Sequence, residues 1–195
     1  MFHHRERMLA SVERWNIAPR LNRQSVAEHS FYVVLYCSEL AERLGLDHSR
    51  KVALFEAAMR HDLAEIVTSD MPGPSKRAIV DKHKLAEYEA RFMQHIGQYA
   101  RFEPFHDLAA IIKAADCIDA YFWLSMEVAH GNRLLTKELQ VAKERMAIAC
   151  AAISCESAAY EVEQEAYQFC FGIDLAPRLD TDLPSKTGGP EEAGF

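Results

Sequence analysis

Between Met59 and Asp70 the chain reads Met-Arg-His-Asp-Leu-Ala-Glu-Ile-Val-Thr-Ser-Asp, an apolar helical run broken by a His-Asp pair with a carboxylate three residues on. An imidazole and a carboxylate are both ligands for a first-row divalent ion, and a further carboxylate that is not a ligand can move a proton beside that ion. The pattern predicts a helix that continues through Glu65 and Val67, with Glu65 beside both Asp62 and His61 on one face. On the same helix Val52, Phe55 and Met59 are expected to form an apolar stripe leading into the group. Adjacent helical residues point about 100° apart, so His61 and Asp62 can share an ion only if it lies between their directions. A His-Asp pair is weak evidence alone. The chain has a second one, His106-Asp107, which follows Pro104 and opens a helix, where an Asp faces the positive end of the dipole; that pair reads as structural.

Partners for the first pair must come from elsewhere in the chain. His29 stands in the first turn of a helix started by the capping box Ser25-Val26-Ala27-Glu28 and stopped at Gly45. Phe31, Val33, Val34, Leu35, Cys37 and Leu40 follow it, a load that predicts a helix buried in the middle of a bundle. Asp116 lies among Ala114, Ala115, Cys117 and Ile118 in an apolar helix expected from about 105 to 129, where burial is costly unless a cation pairs with it. Asp119, one turn on, reads as a supporting or a solvent-facing group. A first helix over about 3 to 15 is expected to end at Arg14-Trp15, just before a loop marked by Asn16, Pro19 and Asn22. Side chains at such a junction can project into a cleft. Just past Asp70 the residues Met71, Pro72, Gly73, Pro74, Ser75 and Lys76 spell a loop, the natural edge of a substrate site, with Lys76 and Arg77 adding positive charge.

The remaining segments complete an all-α chain. Asp47 caps the helix that leads to His61, and a polar helix over about 79 to 99 carries His83 and His95 as surface residues. Helices over about 134 to 153 and 154 to 171 are rich in Ala and Glu and read as packing and oligomer surface rather than chemistry. Residues 176–195 have little to bury and are expected to form a flexible tail, which leaves 1–175 as one domain. A net charge of -7 argues against non-specific binding to a nucleic-acid polymer or an anionic membrane. The five cysteines show no C-x-x-C spacing and are expected to be reduced thiols. With Met1 to Arg14 charged throughout and no apolar run near the roughly 18 residues of a membrane span, the expectation is a soluble, cytoplasmic protein.

Arg14-Trp15, then Val26-Ala27-Glu28-His29-Ser30, then His61 to Pro72, then Lys113-Ala114-Ala115-Asp116 come in the order H…HD…D, which resembles the HD-domain superfamily. In detail they are similar to the YfbR-type 5'-deoxynucleotidases within it, whose patterns read R-W, V-x-E-H-S, H-D-x-x-E-[VIL]-x-T-G-D-[LM]-P and K-x-A-D. The match spans residue 14 to about 150. The resemblance implies an HD-domain helical bundle with a single metal site in its core, a homodimer, and removal of phosphate from deoxynucleoside 5'-monophosphates. It implies that His29, His61, Asp62 and Asp116 hold the ion, Glu65 is the acid/base, Arg14 orients phosphate, Trp15 walls the sugar, and Asp70 with Met71, Pro72, Gly73 and Lys76 edges the nucleoside. Two His and two Asp suit Co or Mn, or another first-row ion such as Fe, Ni, Cu or Zn, and leave an octahedral ion two open positions. Ser69 stands where the family often has Gly, and Gly73 where it can carry Thr, which leaves nucleotide choice less determined than the reaction. Two alternatives stay open: an HD-domain phosphohydrolase acting on a triphosphate, cyclic or signalling nucleotide, and a non-catalytic nucleotide-binding helical dimer. The placement of His83, His95 and His106 favours one metal over two, and Glu65 has no purpose in a mere binding module.

Overall fold

Ser25 begins the first α-helix as the spacing demands: its hydroxyl accepts from the Glu28 amide while the Glu28 carboxylate accepts from the Ser25 amide. That helix, α1, runs over Val26–Arg43 and ends at Gly45, whose φ of 62° is open to a residue without Cβ. Asp47 accepts from the Arg50 amide to start α2, His48–Arg60. Short helices α3 (Glu65–Thr68) and α4 (Gly73–Ala78) follow, then α5 (Lys82–His95), the long α6 (His106–Ala129), α7 (Thr136–Ala151) and α8 (Glu156–Phe171). This computed structural model describes residues 4–78, 80–95 and 106–171. Residue 79, the end of the polar helix beyond 95, the side chains of His106 and Asp107, and the 176–195 tail lie outside the described residues.

Among the described residues the chain is all-α, with a single isolated bridge between Glu13 and Ser25. Helix α6 is the axis: α1, α7 and α8 pack along it, and α2 packs mainly on α1. The main core joins Val33, Cys37, Leu40, Leu54, Leu108, Ile111, Ala115, Ile118, Met146 and Cys150, from α1, α2, α6 and α7. All five cysteines are unbonded, and four of them are buried. No described helix is long and apolar enough to cross a membrane.

Several expectations need correction. The first helix is a 3-10 helix over His4–Ser11, shorter than anticipated, because residues 12 to 14 leave it to pair with 24 to 26: the Arg14 amide donates to the Gln24 carbonyl and the Val26 amide to the Val12 carbonyl. The stripe of Val52 and Met59 is exposed, since α2 instead buries Leu54, Ala57 and Ala58, whose small side chains let it approach α1 closely. Nor is α1 buried all round; Phe31 is 61% exposed and Leu35 lies on the same outer face. The segment Ser69 to Lys76 is a loop only to Pro72, after which α4 carries Lys76.

Candidate metal centre and nucleotide cleft

Helix α2 ends at Arg60, and His61 to Ala64 form a tight turn in which the Leu63 amide donates to the Arg60 carbonyl and the Glu65 amide to the Asp62 carbonyl. The anticipated uninterrupted helix through Val67 is therefore broken at the His-Asp pair. The break resolves the 100° problem, because it lets adjacent side chains converge: His61 Nε2 lies 3.1 Å from Asp62 Oδ2. Around that point His29 Nε2 is 3.3 Å from His61 Nε2, 3.4 Å from Asp62 Oδ2 and 3.5 Å from Asp116 Oδ1. One ligand atom each from His29, His61 and Asp116 lie within 4.8 Å of one another, close enough to hold one ion between them. Helices α1 and α6 and the turn after α2 each contribute, so the group assembles only in the fold.

The outer nitrogens say which way the rings are prepared. His61 Nδ1 is 2.7 Å from the Ala58 carbonyl, which can only accept, so Nδ1 carries the proton and Nε2 its lone pair. His29 Nδ1 is 2.6 Å from Asp119 Oδ2, and Nε2 is again left to coordinate. Asp119 is thus a supporting group and not a solvent-facing one, at 3% exposure. Burial alone would raise the Asp62 carboxyl, but the His29 and His61 rings beside it hold it well below the usual range. Burial works against the charged form of His61, and Asp62 outweighs it, raising that ring. Asp116 is also lowered against the cost of burial, chiefly by Lys113, 2.5 Å away, then by His29 and Arg14. Two imidazoles and the Asp116 carboxylate lie close enough to meet on one divalent ion, with Asp62 beside both rings, and the residues fit.

Glu65 opens α3 with its Oε2 buried and without a hydrogen-bond partner among the described residues. Burial, then the Asp62 and Asp70 charges, push its carboxyl up to about 8. Arg14, and after it Lys76 on α4, draw the value down.

Arg14 and Trp15 sit on a loop held at several points. The Trp15 amide donates to Asp70 Oδ2 at 3.0 Å, and Asn16 Nδ2 to the Asp70 carbonyl at 2.9 Å. Trp15 has a φ of 57°, unusual for a bulky residue, and its ring stacks on Trp123 at 4.9 Å and 5°. Glu127, wholly buried, accepts from the Leu21 and Asn22 amides and from the Asn22 and Asn132 side chains, each at 2.7 Å. These donors hold it ionised against the cost of burial. From here the Arg14 guanidinium reaches Asp119 at 2.9 Å and Asp116 at 3.6 Å.

A cavity of about 570 Å³ meets the cluster at Asp116 and Arg14. Trp15, Asp70, Met71, Pro72 and Gly73 line it, whereas Lys76 is not among its lining residues. Lys137, Val141 and Arg145 of α7 line it too, so α7 is a cleft wall and not packing alone. Sequence reasoning missed α7 because its cleft-facing residues are ordinary for an amphipathic surface. It also missed Glu127, although a lone charge in the apolar run Phe122 to Ala129 is the signal that had singled out Asp116. Ser69 has a φ of 59° and ψ of 166°, a backbone region that glycine occupies readily, which accounts for the Gly at this place in the family pattern.

The helical bundle and its His/Asp cluster are those of an HD-domain phosphohydrolase. The HD phosphohydrolase DatZ of cyanophage S-2L, solved bound to dA and one catalytic Zn2+ ion, superposes with a TM-score of 0.64 at 20% identity over 86% of this chain and 98% of that one. The family profile described as 5'-deoxynucleotidase YfbR-like matches residues 1–164, and the chain belongs to that family. The 5'-deoxynucleotidase of Vibrio cholerae serotype O1 is 29% identical over 182 residues, covering 84% of this chain and 91% of its own. 5'-Deoxynucleotidase YfbR of Shigella dysenteriae serotype 1 is 28% identical over 185 residues, covering 85% and 90%.

Proposed function

We propose that the protein is a metal-dependent 5'-deoxynucleotidase that hydrolyses deoxyribonucleoside 5'-monophosphates to deoxynucleoside and phosphate. The observation that carries this reading is the pair of imidazoles whose Nδ1 atoms rest on Asp119 and the Ala58 carbonyl, so that their Nε2 atoms gather beside Asp62 and Asp116 at a cleft of about 570 Å³. His29, His61, Asp62 and Asp116 would hold one divalent ion, with Co or Mn favoured by mixed nitrogen and oxygen ligation. When bound, the ion offsets phosphate charge and activates the attacking group. Arg14 takes up the phosphate beside Asp116. Glu65, raised toward neutrality by burial, keeps a proton available at its carboxyl for the leaving 5' oxygen. Trp15, braced on Trp123, walls the sugar, and Asp70, Met71, Pro72 and Gly73 edge the nucleoside; Lys76 contributes through Glu65.

A panel of ribo- and deoxynucleoside mono-, di- and triphosphates assayed for phosphate release with several divalent ions tests the reading. Deoxynucleoside monophosphates should head the series, and preferred hydrolysis of triphosphates would overturn it. The exposed outer face of α1 and α2, with Phe31, Leu35, Val52 and Met59, supports a homodimer joined there. Sedimentation showing a monomer at micromolar concentration would refute that. The buried, unbonded thiols support a cytoplasmic location.

A further inference from the structure

One oxygen of Asp119 gathers three donors from three separate places in the chain. Its Oδ2 lies 2.6 Å from His29 Nδ1, 2.9 Å from the Arg14 NH1 group and 3.0 Å from Gln24 Nε2, and the carboxylate is buried on α6. The two cationic-side partners are themselves only 2.6 Å apart, Arg14 NH1 against His29 Nδ1. The Arg14 group can only donate, and Asp119 Oδ2 lies within reach of both atoms as the acceptor they share. His29 is a proposed ligand of the ion and Arg14 the proposed phosphate cation. Both are oriented by one charge.

We propose that Asp119 is a positioning residue that couples retention of the ion to capture of the phosphate. Through His29 it fixes the tautomer that presents Nε2 to the ion; through Arg14 it sets the guanidinium where its second amino group faces Asp116. Without the charge, the ring and the guanidinium no longer share an acceptor and must separate. Separation turns His29 away from Asp62 and Asp116 and draws Arg14 off the phosphate position. Loss of a carboxylate behind a ligating histidine typically weakens metal binding by about 10–100-fold. Gln24 Nε2 is the third donor to this oxygen, and its Oε1 accepts from Arg14 at 3.2 Å, so it steadies the cluster without carrying the charge.

The inference rests on the proposed metal site, and the experiment separates the two. Chelator-stripped full-length protein and its Asp119→Asn variant are titrated calorimetrically with Co2+, and then at saturating Co2+ with inorganic phosphate. Asp119→Asn should bind Co2+ about 10–100-fold more weakly and phosphate more weakly as well. Long-range 15N correlation of the imidazole rings in the metal-free wild type should show His29 protonated at Nδ1, a readout that needs no variant to fold. An Nε2-protonated His29 in the wild type, or Co2+ binding by Asp119→Asn within twofold of wild type, overturns the inference alone. Absence of Co2+ uptake by the wild type overturns the metal site and the coupling with it.

Discussion

Replacing Glu127 should be far more damaging than its distance from the ion suggests. Each of its carboxylate oxygens accepts two hydrogen bonds: Oε1 from the Asn22 amide and side chain, Oε2 from the Leu21 amide and the Asn132 side chain. Hydrogen bonds to a charged group contribute about 1.5–3 kcal/mol each, but four on one carboxylate are not additive. Glu127→Ala leaves these amide donors without their acceptor, at about 1–3 kcal/mol for each one that water cannot reach. Glu127→Gln keeps the shape yet sets an NH2 group against two N–H donors, so it should cost within about 1 kcal/mol of the Ala variant. The sign of the pH dependence follows from the folded-state carboxyl being held below its usual value. The wild-type stabilisation is present above the unfolded pKa of about 4.3 and is lost as pH falls through the folded value, whereas both variants lack that part of the acid sensitivity. Urea unfolding of the metal-free chain between pH 3 and 7 measures this. Because the loop carrying Arg14 and Trp15 is tied down here, KM should rise in both variants. A Gln variant as stable as wild type across that range would refute the reasoning.

Glu65→Gln should retain its metal while losing about two to four orders of magnitude in kcat, read by metal analysis beside turnover; loss of the metal as well would make Glu65 a ligand. In the metal-free chain its folded-state carboxyl, pushed up to about 8, costs stability as pH rises from about 4.3 to 8, so the Gln variant should outlast wild type in urea at pH 9 but not at pH 4. Trp15→Ala should narrow the ratio of kcat/KM for a deoxynucleoside monophosphate over its ribo counterpart from about a hundredfold to a few fold, and an unchanged ratio would put sugar selection on the Asp70 to Gly73 edge. Ser69→Gly should raise Tm, corresponding to about 1 kcal/mol relieved at a φ of 59°, and a lower Tm would contradict the strain.

Much of this site is written in residues that local chemistry punishes. Asp116 and His29 stand out because a polar group in an apolar helix needs a partner, and the capping box places His29 one turn into α1 before any tertiary contact is known. The turn at His61 to Ala64 was hidden because Leu63 and Ala64 are good helix formers, and only tertiary demand stops the helix there. Trp15 at positive φ was illegible for the same reason: Asp70 and Trp123 hold it from segments 55 and 108 residues away in sequence. The stripe on α2 misled because Val52 and Met59 look like core, yet of its three residues only Phe55 packs there, and the buried face uses Leu54, Ala57 and Ala58. Periodicity reports that a face is apolar and not which neighbour covers it.

The central claim is a single metal centre held by His29, His61, Asp62 and Asp116. It is tested most directly by stripping the protein with chelator and following phosphate release from a deoxynucleoside monophosphate as Co2+ or Mn2+ is added back. Activity should be absent at the start, rise to a plateau at one equivalent per chain, and fail to return in His61→Ala under the same conditions. Full activity in the stripped wild type, or a plateau only at two equivalents, would contradict the account.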